Sequence, residues 1–503
     1  MAWKLPMARL ASVPRIAAAV IAPVAAAIFC SLQLAGKASG RISIPPELHA
    51  RNHTLSFTLH AAIARDGKNS FYFNGQPNAP TLRLSPGDQL KITYINDLPT
   101  KTKESCAITP CMDMTNLHFH GLTISPDAPQ DDVLNMMAKP GQSLRYTVQI
   151  PKDHPPGLYW YHTHPHGESH RQVLDGMSGA LVIEGIESYF PPLAGLPERV
   201  LVVRGRSIGN DLQSADLRHR VELSSDVCDA EHEPPEEVFT VNGSVRPQIE
   251  IAPGERQFWR LVNASADRYL DLQLEAQTFE IVAMDGMPIA LHDPNHPTRL
   301  ADHVLLPPAG RLEAIVAGPP AGTPRRLVSR CVDTGPDGDP NPAMVLADII
   351  SRSKANSTTK ISEGSPKPEF KTLDLTAEKK APPRFIVTFT EDKKGFYING
   401  EKFAPDAAPM VRAKVGTYQH WRIDNATGEL HPMHIHQVHF LAYAENDKPV
   451  ANPLWLDTVN VPYGGSVDVI MDFTDPVIRG MSVFHCHLLN HEDKGMMAKI
   501  LFE

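Results

Sequence analysis

Positive charge is in deficit in this sequence: 48 Lys and Arg stand against 57 Asp and Glu, a formal balance of −9. Such an acidic chain is a poor partner for nucleic acid. Charged residues are only 21% and hydrophobic ones 42%, an ordinary mixture that suggests neither wholesale disorder nor a membrane-spanning bundle. Cysteine is scarce, six in 503 residues, so each one needs an account. Proline and glycine are plentiful by contrast, 46 and 32, as in a turn-rich β protein. At roughly 100 to 200 residues per domain, the length implies about three domains.

The N-terminus lacks acids altogether. Lys4, Arg9 and Arg15 precede an uncharged stretch, Ile16 to Gly36, rich in Ala, Ile and Val, with small residues following at Ala38 and Ser39. Residues 1–38 therefore read as a signal peptide cut near Ala38, or as an uncleaved anchor, the run being almost long enough to span a bilayer. Either reading exports the body to the periplasm or beyond. No adjacent arginine pair indicates a twin-arginine route, and Phe29 before Cys30 is a poor match to a lipoprotein cleavage site. Removing the segment takes away Lys4, Arg9, Arg15 and Lys37 and no acid, moving the formal charge from −9 to −13. Of the cysteines, Cys30 goes with the leader and Cys486 is claimed by the chemistry below. Cys106, Cys111, Cys228 and Cys331 remain, an even set in an oxidising compartment that allows up to two disulfides. Three connectivities are open, with Cys106–Cys111 and Cys228–Cys331 favoured.

One pattern recurs three times. Phe73-Asn74-Gly75 leads to Pro86-Gly87 and on to Asn96; Val241-Asn242-Gly243 leads to Pro253-Gly254, Trp259-Arg260 and Asn263; Ile398-Asn399-Gly400 leads to Gly416, Trp421-Arg422 and Asn425. Nine residues separate the second glycine from the closing asparagine in every copy, 87 to 96, 254 to 263 and 416 to 425, so the chain is an internal triplication. Each copy has an Asn-Gly turn, an alternating apolar strand such as Thr81-Leu82-Arg83-Leu84, and another turn and strand, which is the grammar of an antiparallel β-sandwich. The expected domains run over 41–188, 189–352 and 383–503, with the Ser-, Thr-, Lys- and Pro-rich 353–382 as a linker.

Four histidine-dense motifs sit in the first and third copies only: His118-Phe119-His120-Gly121, Tyr161-His162-Thr163-His164, His431-Pro432-Met433-His434-Ile435-His436, and His485-Cys486-His487 with His491 and Met496 after it. On a strand, side chains at i and i+2 share a face roughly 7 Å apart, so a His-x-His pair reaches two neighbouring metal ions, and the residue between them faces the other way. Cys486 is such a residue, so a thiolate bound to one metal is covalently joined to two imidazoles serving others. Cys486, His431, His491 and a weak thioether from Met496 make the His₂Cys plus axial Met set of a blue-copper electron-transfer centre. A single His-x-His is more often a surface or core pair, and a mixed His and Cys cluster more often binds zinc; but zinc sites close with four ligands and do not call for ten histidines. The middle copy has only scattered histidines (His219, His232, His292, His296, His303) and reads as a spacer or substrate-side wall.

With these motifs in view, the sequence from about residue 41 to 503 resembles the three-domain multicopper oxidases, the group of laccases, bilirubin oxidases and metallo-oxidases. The resemblance implies an all-β fold of three tandem cupredoxin-like Greek-key sandwiches, with a copper cluster between the first and third. It implies four coppers: His118 and His434 on the type 2 ion, His120, His162, His164, His436, His485 and His487 on the type 3 pair, and His431, Cys486, His491 and Met496 on the type 1 ion. The activity it implies is one-electron oxidation of a substrate coupled to four-electron reduction of O2 to water, by a monomer. Asp131, thirteen residues after His118, and Glu492, directly after His491, match the acids that relay protons in the family. Asp132 rivals Asp131, because the Asp-Gly that follows the first motif in fungal laccases is here Asp131-Asp132-Val133. His166 and His170 match no family role and are expected to be surface or supporting histidines. Asp457 is a candidate brace for a ligand histidine, with a purely structural hydrogen bond as its other reading.

An axial methionine implies a potential in the lower to middle part of the family range. No methionine-rich insertion marks a cuprous oxidase, since Met112, Met114, Met136 and Met137 form only two small groups. The expected substrate is therefore a phenol or related aromatic, with oxidation of Cu(I), Fe(II) or Mn(II) for metal tolerance as the alternative, and a copper-binding scaffold without oxidase activity as the reading from a different class.

Overall fold

The structure is a computed structural model and describes residues 40–77, 79–100, 113–207, 237–351 and 369–503. The expected leader, Cys106, Cys111, Cys228, His219, His232 and positions 353–368 of the expected linker lie outside the described residues. Cys486 is the free cysteine among the described residues.

Among the described residues, six sheets pack in pairs along the chain. In the first pair, one sheet orders Gln76–Pro77, Asn69–Phe73, Thr54–Ile63, Gln89–Asn96 and Ser143–Gln149; its partner orders Glu47–His49, Thr81–Leu84, Ser178–Ile183, Gly157–His162 and His118–His120. The second pair is centred on Arg256–Asn263 and Leu270–Leu274, the third on Thr417–Asn425 and Gly480–Cys486. Each pair closes on its own apolar cluster, holding Leu59, Phe71 and Tyr161 in the first, Trp259, Leu272 and Leu346 in the second, and Trp421, Phe440 and Phe484 in the third. Burying such side chains is the main stabilising term, roughly 1.5–3 kcal/mol for each large apolar group.

The repeats seen in sequence are repeats of backbone chemistry. Asn74-Gly75, Asn242-Gly243 and Asn399-Gly400 all hold positive φ at both residues, 49° and 72°, 49° and 79°, 51° and 77°, which a tight hairpin with the right-handed strand twist requires. The closing asparagines are fully buried, and each does the same work. The side-chain oxygen accepts from the N–H two residues on (Leu98, Ser265, Thr427), while the amide nitrogen donates to two carbonyls of neighbouring loops. That is why the spacing to this asparagine does not drift.

The pairing departs from a purely antiparallel sandwich in every copy, with parallel ladders in both sheets of each pair. Thr54–Ile63 runs parallel to Gln89–Asn96, Glu198–Ser207 parallel to Arg256–Asn263, and Phe385–Asp392 parallel to Thr417–Asn425. In each copy the Asn-Gly hairpin is followed by a short strand (Thr81–Leu84, Gln248–Glu250, Val411–Ala413) that belongs to the opposing sheet. The chain therefore crosses over before it returns, and it returns in the same direction. Among the described residues helices are short, and two matter for the site: Ser169–Leu174 and Leu489–Asp493, which pack against each other.

Candidate metal centre

Strand alternation sorts the third copy's ligand candidates onto two faces. Met433 pairs with Cys486, His434 with His485 and Ile435 with Phe484 across the ladder between His431–Ile435 and Gly480–Cys486. Met433, Ile435, Phe484 and Cys486 all enter the sandwich core, so His434 and His485 point out of it. His431, two residues before Met433, falls on the core face with Cys486. Two pockets result, on opposite sides of one strand.

The core-side pocket holds His431, Cys486 and His491, all buried, with metal-ligand atoms within 4.8 Å of one another. The His431 Nδ1 lies 3.4 Å from the Cys486 sulfur and 3.3 Å from His491 Nδ1, and the sulfur lies 4.0 Å from His491 Nδ1. Each imidazole is turned by a partner on its far nitrogen: His431 Nε2 donates to Thr427 Oγ1 at 2.9 Å, and His491 Nε2 lies 3.4 Å from Glu429 Oε1. The same asparagine turn that closes the repeat positions Thr427, whose hydroxyl donates to Asn425. Phe396 stacks on His491 at 3.9 Å. Met496 is fully buried in the same core cluster, its carbonyl accepting from Cys486 N–H and its N–H donating to the His491 carbonyl. Burial pushes the Cys486 thiol up, so a thiolate there calls for a cation among its neighbours.

The outer pocket gathers His118, His120, His162 and His164 from the first copy with His434, His436, His485 and His487 from the third, all buried. His118 stacks on His436 with ring centroids 3.7 Å apart, and His120 on His434 at 3.9 Å. His485 Nε2 faces His164 Nε2 and His436 Nε2, each at 3.3 Å. The fit of this set to metal is tested by its unsatisfied nitrogens. His118 Nε2, His120 Nδ1, His162 Nε2, His434 Nε2, His436 Nδ1 and both nitrogens of His487 are buried with no hydrogen-bond partner. Orphaned buried polar atoms of this number are costly unless something binds them. Meanwhile the opposite nitrogen is claimed in four of these cases: His118 Nδ1 by Asp131, His120 Nε2 by Asp457, and the Nδ1 atoms of His162 and His434 by the carbonyls of Thr163 and Asp457; His485 Nδ1 is held in the same way by the Cys486 carbonyl. Such hydrogen bonds fix the tautomer and aim the bare nitrogen inward, as ligand histidines require. Burial holds the eight imidazoles well below the usual histidine range, and so neutral, with mutual repulsion adding to it for most of them.

Asp131, not Asp132, meets the cluster. Its carboxylate accepts from His118 Nδ1 at 3.0 Å, Phe119 N–H at 3.0 Å and Gln437 Nε2 at 2.7 Å, while Asp132 caps its own turn through Asn135. Burial pushes the Asp131 carboxyl up to about 8, against those hydrogen bonds. Glu492 is also buried: Oε1 accepts from Ser169 Oγ at 3.1 Å and lies 3.6 Å from His164 Nδ1, and Oε2 lies 3.9 Å from His485 Nδ1 with no hydrogen-bond partner. Burial and the neighbouring Asp493 push its carboxyl well up.

The sequence marks Asp457 as a brace or a structural residue, whereas Arg311, Gln437 and Ser169 carry no signal in it. Asp457 takes both a bracing and a structural role, because Arg311 of the middle copy grips it while it holds His120. The middle copy is thus more than a spacer, although none of its described histidines reaches the cluster. Gly121 is required here: a Cβ at its φ of +85° would stand 2.5 Å from the Arg311 guanidinium and 2.6 Å from the Asp457 carboxylate. His166 packs against Phe403, and His170 pairs with Asp267 at 2.6 Å; neither joins a pocket. Gln437, Ser169, Thr427, Glu429 and Asp267 complete the surround.

Tandem β-sandwiches with a His₂Cys pocket beside an eight-imidazole pocket define a metal-binding redox protein. Profiles of the multicopper oxidase family match residues 58–188, 211–316 and 376–503. A multicopper oxidase of Staphylococcus aureus is 24% identical over 476 residues, 91% of this chain and 92% of that one. A laccase of Haloferax volcanii is 26% identical over 421 residues, covering 77% of this chain and 67% of its own. Among solved structures, the multicopper oxidase of Campylobacter jejuni, described as a metallo-oxidase, superposes with a TM-score of 0.68 at 23% identity, over 92% of this chain and 95% of that one. The chain belongs to the three-domain multicopper oxidases, copper oxidoreductases built of cupredoxin-like sandwiches.

Proposed function

We propose that this chain is a four-copper oxidase that couples one-electron oxidation of a reducing substrate to reduction of O2 to water. His431, Cys486, His491 and Met496 would hold the type 1 ion, His118 and His434 the type 2 ion, and His120, His162, His164, His436, His485 and His487 the type 3 pair. Copper held by these residues would supply the redox chemistry by which four single electrons from the substrate, with four protons, reduce one O2 to two waters. The observation that carries the reading is Cys486, whose sulfur lies in one pocket while its two chain neighbours, His485 and His487, line the other. Asp131 holds its carboxylate against the His118 proton on Nδ1, and Glu492 keeps Oε2 free of partners beside His485, so both are suited to hold a proton at the cluster wall. The test is Cys486→Ser. It should lose the intense blue band and fall from about four to about three coppers per chain; four coppers with the band retained would refute the assignment.

For the reducing substrate, the laccase-like reading is a phenol or related aromatic, which the absence of a methionine-rich segment and the laccase among the relatives support. A second reading, oxidation of Fe(II) or Mn(II), is favoured by one feature. The outward nitrogen of His491 abuts Glu429, whose carboxyl is pushed up to about 9 by burial and by Glu391, Asp339 and Asp337 around it. Carboxylates suit hard divalent ions. Oxygen uptake with a phenol, Cu(I), Fe(II), Mn(II) and bilirubin ranks the two. Residues 1–38 belong to the same proposal as an export signal or anchor, checked by N-terminal sequencing of the exported protein.

A further inference from the structure

A cavity of about 760 Å³ lies between the first and second sandwiches, far larger than an inorganic ion needs and within the usual range for small-molecule sites. Four basic side chains line it, Arg65, Lys68, Arg204 and Arg206, against two acids, Asp66 and Asp175, on a chain whose overall balance is −9. Both acids are engaged already: Asp66 pairs with Arg206 at 3.2 Å, and Asp175 accepts from the Asn69 backbone and side chain at 3.0 and 2.5 Å. Half-buried Arg204 stands apart from the buried arginines. Arg83 is met by Glu47, Glu184 and Glu198, Arg260 by Glu198 and Glu313, and Arg311 by Asp457 and Asp285. Arg204 bonds only the neutral Ser178, Nε to the hydroxyl at 2.8 Å and one Nη to the carbonyl at 2.5 Å, and no carboxylate among the described residues lies within ion-pair distance of it. Its half-buried charge, pulled down to about 10 by desolvation, meets no carboxylate among the described residues, and the cavity has room to admit one. Pro45, Pro77 and Ala79 give the same cavity an apolar wall.

We infer that this cavity binds a small organic anion, its carboxylate on the free edge of the Arg204 guanidinium and its apolar body along the proline-lined wall. A guanidinium presents paired donors to a carboxylate, which fixes orientation as well as charge. The site is separate from both metal pockets, although Ser178 is the strand neighbour of His162.

Calorimetric titration of the copper-loaded full chain with benzoate, and with benzyl alcohol as the neutral analogue, tests the inference. Benzoate should bind saturably at about one per chain, benzyl alcohol far more weakly, and Arg204→Gln should weaken benzoate roughly ten- to a hundredfold, as loss of a charge-assisted hydrogen bond does. Gln76→Trp, an exposed change at the cavity mouth, should also weaken benzoate, and it decides the matter if Arg204→Gln does not fold. Absence of benzoate binding to the unaltered chain overturns the inference. So does equal affinity for benzyl alcohol, or wild-type affinity in folded Arg204→Gln or in Gln76→Trp.

Discussion

Arg311 grips Asp457 through two hydrogen bonds, 2.8 and 2.5 Å long, with both side chains wholly buried. Arg311 belongs to the middle sandwich and Asp457 to the third, and the oxygen shared with Arg311 also accepts from His120 of the first at 3.1 Å. All three sandwiches therefore meet at one carboxylate. Asp457→Asn keeps the shape but leaves the buried guanidinium with only Asp285, 3.6 Å away, as a charge partner, which costs up to about 3–5 kcal/mol. The His120 nitrogen facing the cluster should lose its fixed orientation as well, weakening copper retention roughly ten- to a hundredfold. Thermal unfolding and metal analysis of the purified variant check both; a wild-type melting temperature with full copper would refute the role.

What could be read from sequence was whatever repeats at short range. The Asn-Gly turns, the nine-residue spacing and the four His-x-His pairs are all local, and a strand's period of two turns such spacing directly into faces. Arg311 and Asp457 are 146 residues apart, and nothing in either neighbourhood announces the other. Asp131 and Asp132 are equivalent as letters and differ only in which one the turn buries against His118. The parallel strand pairing was hidden for a related reason: a hairpin signal says nothing of the crossover that follows it.

His170 makes the assembly sensitive to alkali. Burial pulls its imidazolium down, and the Asp267 carboxylate at 2.6 Å more than reverses this, pushing it up to about 9. His170 N–H also bonds Asp493, and Asp267 accepts from Asn490 N–H, so the pair ties Ser169–Leu174 to the segment that carries His491. Below pH 6.5 both folded and unfolded chains hold the proton and the stabilisation is full; between 6.5 and 9 only the folded chain holds it, so stability falls as pH rises through that window and is gone above it. The difference is on the order of 3 kcal/mol. Denaturant midpoints should thus separate wild type from His170→Gln at pH 6 and bring them closer by pH 10; a constant gap would sink the explanation.

Glu429 offers a way to choose between the substrate readings. Burial and the acids around it push the Glu429 carboxyl, 3.4 Å from His491, up to about 9, so a divalent ion binding there at neutral pH displaces its proton; Glu429→Gln keeps a polar group of the same size that cannot ionise for the metal. If Fe(II) or Mn(II) is oxidised, KM for that ion should rise roughly tenfold while KM for a phenol changes little, the loss of one close electrostatic contact being worth about that much. Equal shifts for both substrates would mean that Glu429 acts through His491 and not on the metal ion.

Met496 is the thioether proposed for the type 1 ion. It is fully buried beside Cys486, tied to it by the Cys486 N–H bond to its own carbonyl at 3.1 Å, so a substitution of similar volume has little room to rearrange the pocket. Met496→Leu should cost less than about 1.5 kcal/mol of stability, because the exchange conserves volume in a packed core. As the proposed thioether ligand, Met496 would favour the oxidised ion, so its loss should raise the type 1 potential. Stoichiometric reduction followed on the blue band gives the potential directly, and oxidation of demanding substrates should improve with it. A potential that stays level or falls in a variant with unaltered copper content would remove Met496 from the ligand set.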